Sequence, residues 1–258
     1  MLPQAEAWHP AGASVGFFVA FLSLALFRPA VSPAQISDDA AFVARVKSQV
    51  SGIASRYQTR VDPQRKLVFI TALDDESFRR TAAMLATYSD AYSQTMNRRP
   101  PSVDVVIILP TVADYQPLAP STMVRGFYMP SERMLVSIDR GPVLMHEFTH
   151  ALHHADIAAT GQNPPIWIKE GLATLFDSSE ITPQGLVPEH DARLIVVRQM
   201  VKAKTLMTIQ ELSRLDYSAF RNNAVPAYAQ SRYVLFYLYE KGVLAQWYQK
   251  YNEEFSAD

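Results

Sequence analysis

His146-Glu147-Phe148-Thr149-His150 lies inside an apolar run without glycine, from Val143 to Ala155. The run reads as a helix, and on a helix positions i and i+4 share one face. Both imidazoles can therefore turn toward one point in space. Two histidines at that spacing, with a glutamate directly after the first, suit a divalent zinc ion and a carboxylate base beside the water that it activates. Zinc in a hydrolytic site usually has three protein ligands and one open position, so a third donor is expected elsewhere in the chain.

A second stretch follows the first. Pro165-Ile166-Trp167-Ile168-Lys169-Glu170-Gly171-Leu172-Ala173 places Glu170 twenty residues after His150. The two stretches together resemble the gluzincin metallopeptidases, and the Pro-x-Trp-x-x-Glu-Gly-x-Ala phrasing looks most like the peptidase MA-like branch. The likeness is strong from Gly141 to Phe176, weaker to Gly242 and vague before Thr122. It implies Glu170 as the third ligand beside His146 and His150, on the helix after the metal helix. It implies Glu147 as general base, a zinc ion, and hydrolysis of peptide bonds in a peptide or protein substrate. It also implies a downstream oxyanion donor, for which Tyr228 in Tyr-Ala-Gln-Ser is the first choice. An edge strand bordering the cleft is implied too, with Gly126-Phe127-Tyr128 as the candidate, although an ordinary hairpin with Tyr128 on the core fits equally.

There are departures from the family's pattern. Thermolysin-like members have an aspartate one turn after the ligand glutamate, where this chain has Thr174. Asp177 is a substitute candidate for orienting a histidine. Lys169 stands where aminopeptidase members have asparagine, and their Gly-x-Met-Glu-Asn motif is absent, which favours an endopeptidase. Two other readings stay open: a non-catalytic zincin-fold binding or scaffold module, and a zinc amidase acting on cell-wall material.

Composition bounds these readings. The chain has 258 residues, 48% of them hydrophobic, enough for a sizeable core in one large or two small domains. Its net charge of −1 gives no field that would favour nucleic acid. The absence of cysteine excludes disulfides and thiolate ligands, so any zinc must be held by histidine and carboxylate.

Gly12 to Phe27 is apolar apart from two serines. It is short for a membrane span, which needs about 20 residues, and suits a signal-peptide core with a cut after Ala34. An uncleaved anchor through residues 12–27 is the alternative, because no Lys or Arg precedes the segment. Either way residues 35–258 are expected to act outside the cytoplasm, periplasmic or secreted.

The remaining elements follow from periodicity and caps. Phe42, Val46, Val50, Ile53 and Tyr57 form an amphipathic stripe, and Lys66 to Ala72 reads as a strand. Asp74-Asp75-Glu76 opens a helix with Phe78, Leu85, Tyr88, Tyr92 and Met96 on one face, closed by Arg98-Arg99-Pro100-Pro101, whose arginines read as a solvated end. Val103 to Leu109 reads as a central strand, and Val124–Met129 with Met134–Ile138 as a hairpin. His153 and His154 read as surface residues or supports of the site. After the helix Trp167 to Ser178 come a turn at Thr182-Pro183-Gln184-Gly185, a helix from Asp191 to Lys204, a capping box Thr208-Ile209-Gln210-Glu211, and a helix from Pro226 to Lys241 closed by Gly242. Arg232 on that helix either assists the site or pairs with a local acid. The expected fold is α+β and zincin-like. A small mixed sheet with helices forms an N-terminal lobe (35–156) ending in the metal helix, and a helical C-terminal lobe (157–258) closes the cleft.

Overall fold

The computed structural model describes residues 56–98, 104–121, 123–158 and 162–254, together with residues 44, 48 and 52. The expected signal or anchor at 1–34 and most of the first amphipathic helix fall outside the described residues. Among the described residues no helix is long and apolar enough to cross a membrane.

The chain is α+β. A five-stranded mixed sheet runs in the order β1 (Gln58–Asp62), β2 (Leu67–Thr71), β3 (Val105–Leu109), β5 (Met134–Ser137), β4 (Gly126–Met129). The three inner strands β2, β3 and β5 are parallel, and the two outer strands are antiparallel to their neighbours. Every residue of β2, β3 and β5 is buried, as uninterrupted apolar strands covered on both faces should be. The polar outer strand β1, Gln-Thr-Arg-Val-Asp, was not foreseen; it has no alternating apolar face to signal it.

Helix α1 (Asp75–Thr95) follows β2. The Asp74 carboxylate accepts from the backbone N–H of Glu76 and Ser77 at 3.1 and 2.8 Å, which caps the helix, and Asp75 and Glu76 sit at its positive end. Its stripe of Phe78, Leu85, Tyr88, Tyr92 and Met96 is buried as expected. The short α2 (Val112–Tyr115) lies between β3 and the β4–β5 hairpin, which turns at Pro130–Glu132 with Arg133 in the left-handed region.

Helix α3 (Pro142–Ala158) carries the histidine motif. Proline at the first helical position costs no hydrogen bond there, and the Asp139 carboxylate accepts from Gly141 N–H at 2.7 Å just before it. Leu144, His146, Glu147, Phe148, Thr149 and Ala151 are all fully buried, so this helix is enclosed around most of its circumference. Helix α4 (Ile166–Phe176) packs against it.

A small hairpin, β6 (Ser179–Thr182) and β7 (Gly185–Pro188), follows and lies against α1. Only its turn was legible in the sequence. Gly185 has φ +121°, and a side chain there would run into Thr95, whose hydroxyl accepts from Leu186 N–H at 2.7 Å.

The remainder is helical: α5 (Arg193–Ala203), α6 (Ile209–Ser213), α7 (Tyr217–Asn222), α8 (Ala224–Glu240) and α9 (Leu244–Glu254). The capping box at Thr208 and Glu211 is present with both reciprocal bonds. Helix α8 makes its largest contact with α4. The main cluster of buried apolar residues joins β2, β3, α1, α3, α4 and α8, from Leu67 to Tyr248. The two walls of the site therefore share one core.

Candidate metal centre

His146 and His150 on α3 and Glu170 on α4 come together as the sequence predicts. Their donor atoms form a small triangle. His146 Nε2 and His150 Nε2 are 3.2 Å apart, and each lies 3.4 Å from Glu170 Oε2. These residues lie close enough to hold a metal ion. A tetrahedral ion with bonds of about 2.0–2.1 Å separates its donors by about 3.3 Å, so the edges of this triangle fit such an ion. Two imidazoles and a carboxylate, with no thiolate, suit a borderline divalent metal.

Electrostatics support the same grouping. Burial alone would lower the His146 pKa, but Asp177 and Glu170 outweigh it and lift the ring to about 9. Burial would likewise raise Glu170, but the two imidazoles outweigh it and hold that carboxyl well below the usual carboxylate range. In the metal-free protein the triangle is thus a buried ionic cluster whose proton a metal would displace.

Glu147, one residue after His146, is fully buried, and neither carboxylate oxygen makes a hydrogen bond. A buried acceptor left without a donor is costly and marks a group that waits for a partner. Burial and the Glu170 carboxylate push its pKa up, opposed by His146 and His150 and, more weakly, by the Tyr128 backbone amide, which approaches without reaching hydrogen-bond geometry. Tyr128 belongs to β4, the outermost strand of the sheet, so the expected edge strand does border Glu147. The Tyr128 side chain turns into the core, where its hydroxyl meets His154 Nδ1 at 2.9 Å. The ring therefore packs on the core, while β4 is an edge strand of the sheet.

Tyr228 on α8 also reaches the site. Burial raises its pKa well above the usual phenol value, and the carboxylates of Glu170 and Glu147 raise it further. Its ring is fixed edge-on against Phe220, with centroids 5.0 Å apart. The site opens at His150, whose side chain is 10% exposed, while His146 is 0% and Glu170 2% exposed.

Several expectations need correction. His153 is not a surface residue: it is 2% exposed, with its ring 5.6 Å from that of Tyr248, and burial drives its pKa well down. His154 bonds Tyr128, and burial lowers it to about 4. Arg98 is no solvated helix end; it donates to Asp156 at 2.7 Å. Thr174 turns its hydroxyl back onto the Glu170 carbonyl at 2.6 Å and supports no histidine. Asp177 takes that place, with Oδ2 3.7 Å from His146 Nδ1. Gly171 does permit a close approach, but to α8 rather than to the metal helix: a β-carbon there would lie 2.9 Å from Leu235 and 3.1 Å from the Ser231 carbonyl oxygen. Arg193, which pairs with Asp177 at 2.8 Å, was missed. It lies sixteen residues from Asp177 on another helix, and no local pattern links the two.

No curated protein matches the chain. Residues 142–255, from the first turn of the metal helix through α9 and so including His146, Glu147, His150, Glu170 and Tyr228, are similar to a family described as "Protein of unknown function (DUF1570)".

Proposed function

We propose that the protein is a zinc metallopeptidase of the gluzincin type that cuts within peptide or protein chains. The observation that carries this reading is the triangle of three donor atoms at 3.2–3.4 Å with an unbonded, buried Glu147 carboxylate next to it. A structural zinc site is closed by a fourth ligand and has no use for a base. Among the described residues only three metal-ligating side chains of this kind converge.

His146, His150 and Glu170 would hold the ion. Zinc bound there would supply Lewis acidity, which polarises a scissile carbonyl and makes water acidic near neutral pH. Glu147 takes the proton of the attacking water on a carboxylate oxygen and delivers it to the leaving nitrogen. A base raised by burial is better matched to that task than an exposed carboxylate. The Tyr228 hydroxyl donates to the carbonyl oxygen as negative charge develops there. The outer edge of β4 offers backbone groups to an extended peptide, which would add as a further strand. The apolar segment Gly12 to Phe27 supports action outside the cytoplasm, secreted or held at a membrane.

The test is elemental analysis of the purified protein and its Glu147→Gln variant, with casein hydrolysis measured on the same samples. Both should hold about one zinc per chain, while the variant loses about 10²–10⁴ of the rate. Equal hydrolysis by wild type and variant would sink the mechanism. Zinc without hydrolysis of peptides or muropeptides by the wild type would favour a metal-holding binding module, which the near-complete burial of His146 and Glu170 also suits.

A further inference from the structure

His146 turns Nε2 toward Glu170 and His150, and what it meets on its other side is a closed set of charges. Asp177, 5% exposed, stands directly after α4 with Oδ2 3.7 Å from His146 Nδ1, an electrostatic contact wider than a hydrogen bond. Two arginines hold this carboxylate. Arg193 reaches it with both terminal nitrogens, Nη2 to Oδ2 at 2.8 Å and Nη1 to Oδ1 at 3.4 Å. Arg232 Nη1 lies 3.7 Å from Oδ1. Asp191 closes the set, paired to Arg193 and lying 3.5 Å from Arg232 Nε.

Arg232 is the unusual member. It is 0% exposed, the largest fully buried side chain among the described residues. Its Nη2 donates to the Glu189 carbonyl and to Ser178 Oγ at 3.3 Å, while Nε and Nη1 make no hydrogen bond and face the two aspartates. A guanidinium so enclosed is costly to desolvate, and an apolar side chain of the same volume often serves stability as well or better. What such a network supplies is orientation. Two aspartates and two arginines balance in charge, and the one group that they leave oriented toward the site is the Asp177 carboxylate. Arg232 also lies one turn after Tyr228 on the same face of α8, so the grip that holds Asp177 fixes the turn that presents the tyrosine.

We propose that Arg193 and Arg232 are positioning residues that aim the Asp177 carboxylate at His146 Nδ1. Aimed there, it keeps the ring proton on Nδ1 and leaves the Nε2 lone pair for a metal. This inference rests on the reading of His146 as a metal ligand.

The experiment measures zinc affinity by chelator competition for the wild type, Asp177→Asn, Arg193→Gln and Arg232→Lys, each checked for folding by circular dichroism. The His146 Nδ1–H proton resonance of the zinc-loaded proteins is recorded alongside. Asp177→Asn should weaken zinc about 10- to 100-fold and move the resonance upfield. Arg193→Gln and Arg232→Lys should act in the same direction by a smaller factor. Arg193 is part-exposed, so Arg193→Gln carries the test where Arg232→Lys does not fold. A network with a merely structural role would lower thermal stability and leave affinity and resonance in place. That result, with zinc bound by the wild type, overturns this inference and spares the metal centre. A wild type that takes up no zinc after reconstitution overturns the metal centre, and this inference with it.

Discussion

Four histidines lie on α3, and they form two pairs with opposite fates. His146 and His150 point their Nε2 atoms at one carboxylate, and His146 is lifted to about 9 by the acids around it. His153, buried against Tyr248, and His154, half-buried against Tyr128, lie one turn further on and are driven down, His154 to about 4. Same helix and same residue type yield a pair placed to hold a metal and a packing pair. The difference lies in what faces them: α4 brings Glu170 to the first pair, while α9 and β4 bring aromatic rings to the second. A histidine near a metal motif is therefore assigned by its neighbours across space and not by its distance along the chain.

The sharpest way to break this contrast is to remove one member of each pair. His150→Ala should lose stoichiometric zinc, whereas His153→Gln should keep it, both read by elemental analysis after dialysis. Zinc lost equally from both would mean that the second pair is part of the centre. Next in size is the hydroxyl that faces the two site carboxylates. Tyr228→Phe should hold zinc normally and lower hydrolysis about 10²-fold or more, the usual cost of one oxyanion donor. An unchanged rate would return Tyr228 to a packing role.

The first pair was legible because its information is local. Spacing on a helix, residue type and the phrase around Glu170 all lie within Gly141 to Phe176, and the structure assembles them as read. The same holds for the capped α1, for the three apolar inner strands and for the capping box at Thr208. What escaped was nonlocal or weakly patterned. Strand β1 is polar, and the strands of the β6–β7 hairpin are four residues each, too short to show a period. Helix α9 is an exception: its stripe of Leu244, Tyr248 and Tyr251 is amphipathic and was legible, but it begins just after the glycine that closes α8 and was passed over. Of the arginines around Asp177, Arg232 does pair with an acid as one of its two readings had it, whereas Arg193 comes from α5 and only the fold brings it there.

The packing pair has its own signature in acid. His154 has a folded pKa of about 4 against an unfolded value of about 6.5, so the unfolded chain binds the extra proton between those values. Stability contributed by the neutral ring is fully present above pH 6.5 and is lost as pH falls toward 4, in total about 3 kcal/mol. His153, lowered for the same reason, adds in the same direction. Urea unfolding of the metal-free protein from pH 7 to 4 should show this loss, and His154→Gln should reduce it. Parallel curves for the two proteins would mean that the His154 ring takes up its proton as readily in the fold as in the unfolded chain.

The smallest expected effect tests how Glu170, the third candidate ligand, is held in place for the first pair. Glu170 depends on α4, and α4 is seated by its close approach to α8 at Gly171. A β-carbon there meets the Leu235 side chain at 2.9 Å and the Ser231 carbonyl oxygen at 3.1 Å. Leu235 can rotate, but a backbone carbonyl cannot yield without moving its helix. Gly171→Ala gains helix propensity of about 1 kcal/mol and should still destabilise by about 1–3 kcal/mol, as overpacking of a close contact does. The clash drives α4 and α8 apart, and α4 carries Glu170 one residue earlier, so zinc affinity should fall together with the melting temperature. A melting temperature that rises, with zinc affinity unchanged, would mean that α8 has room to spare and that the ligand triangle does not depend on how closely α4 and α8 pack.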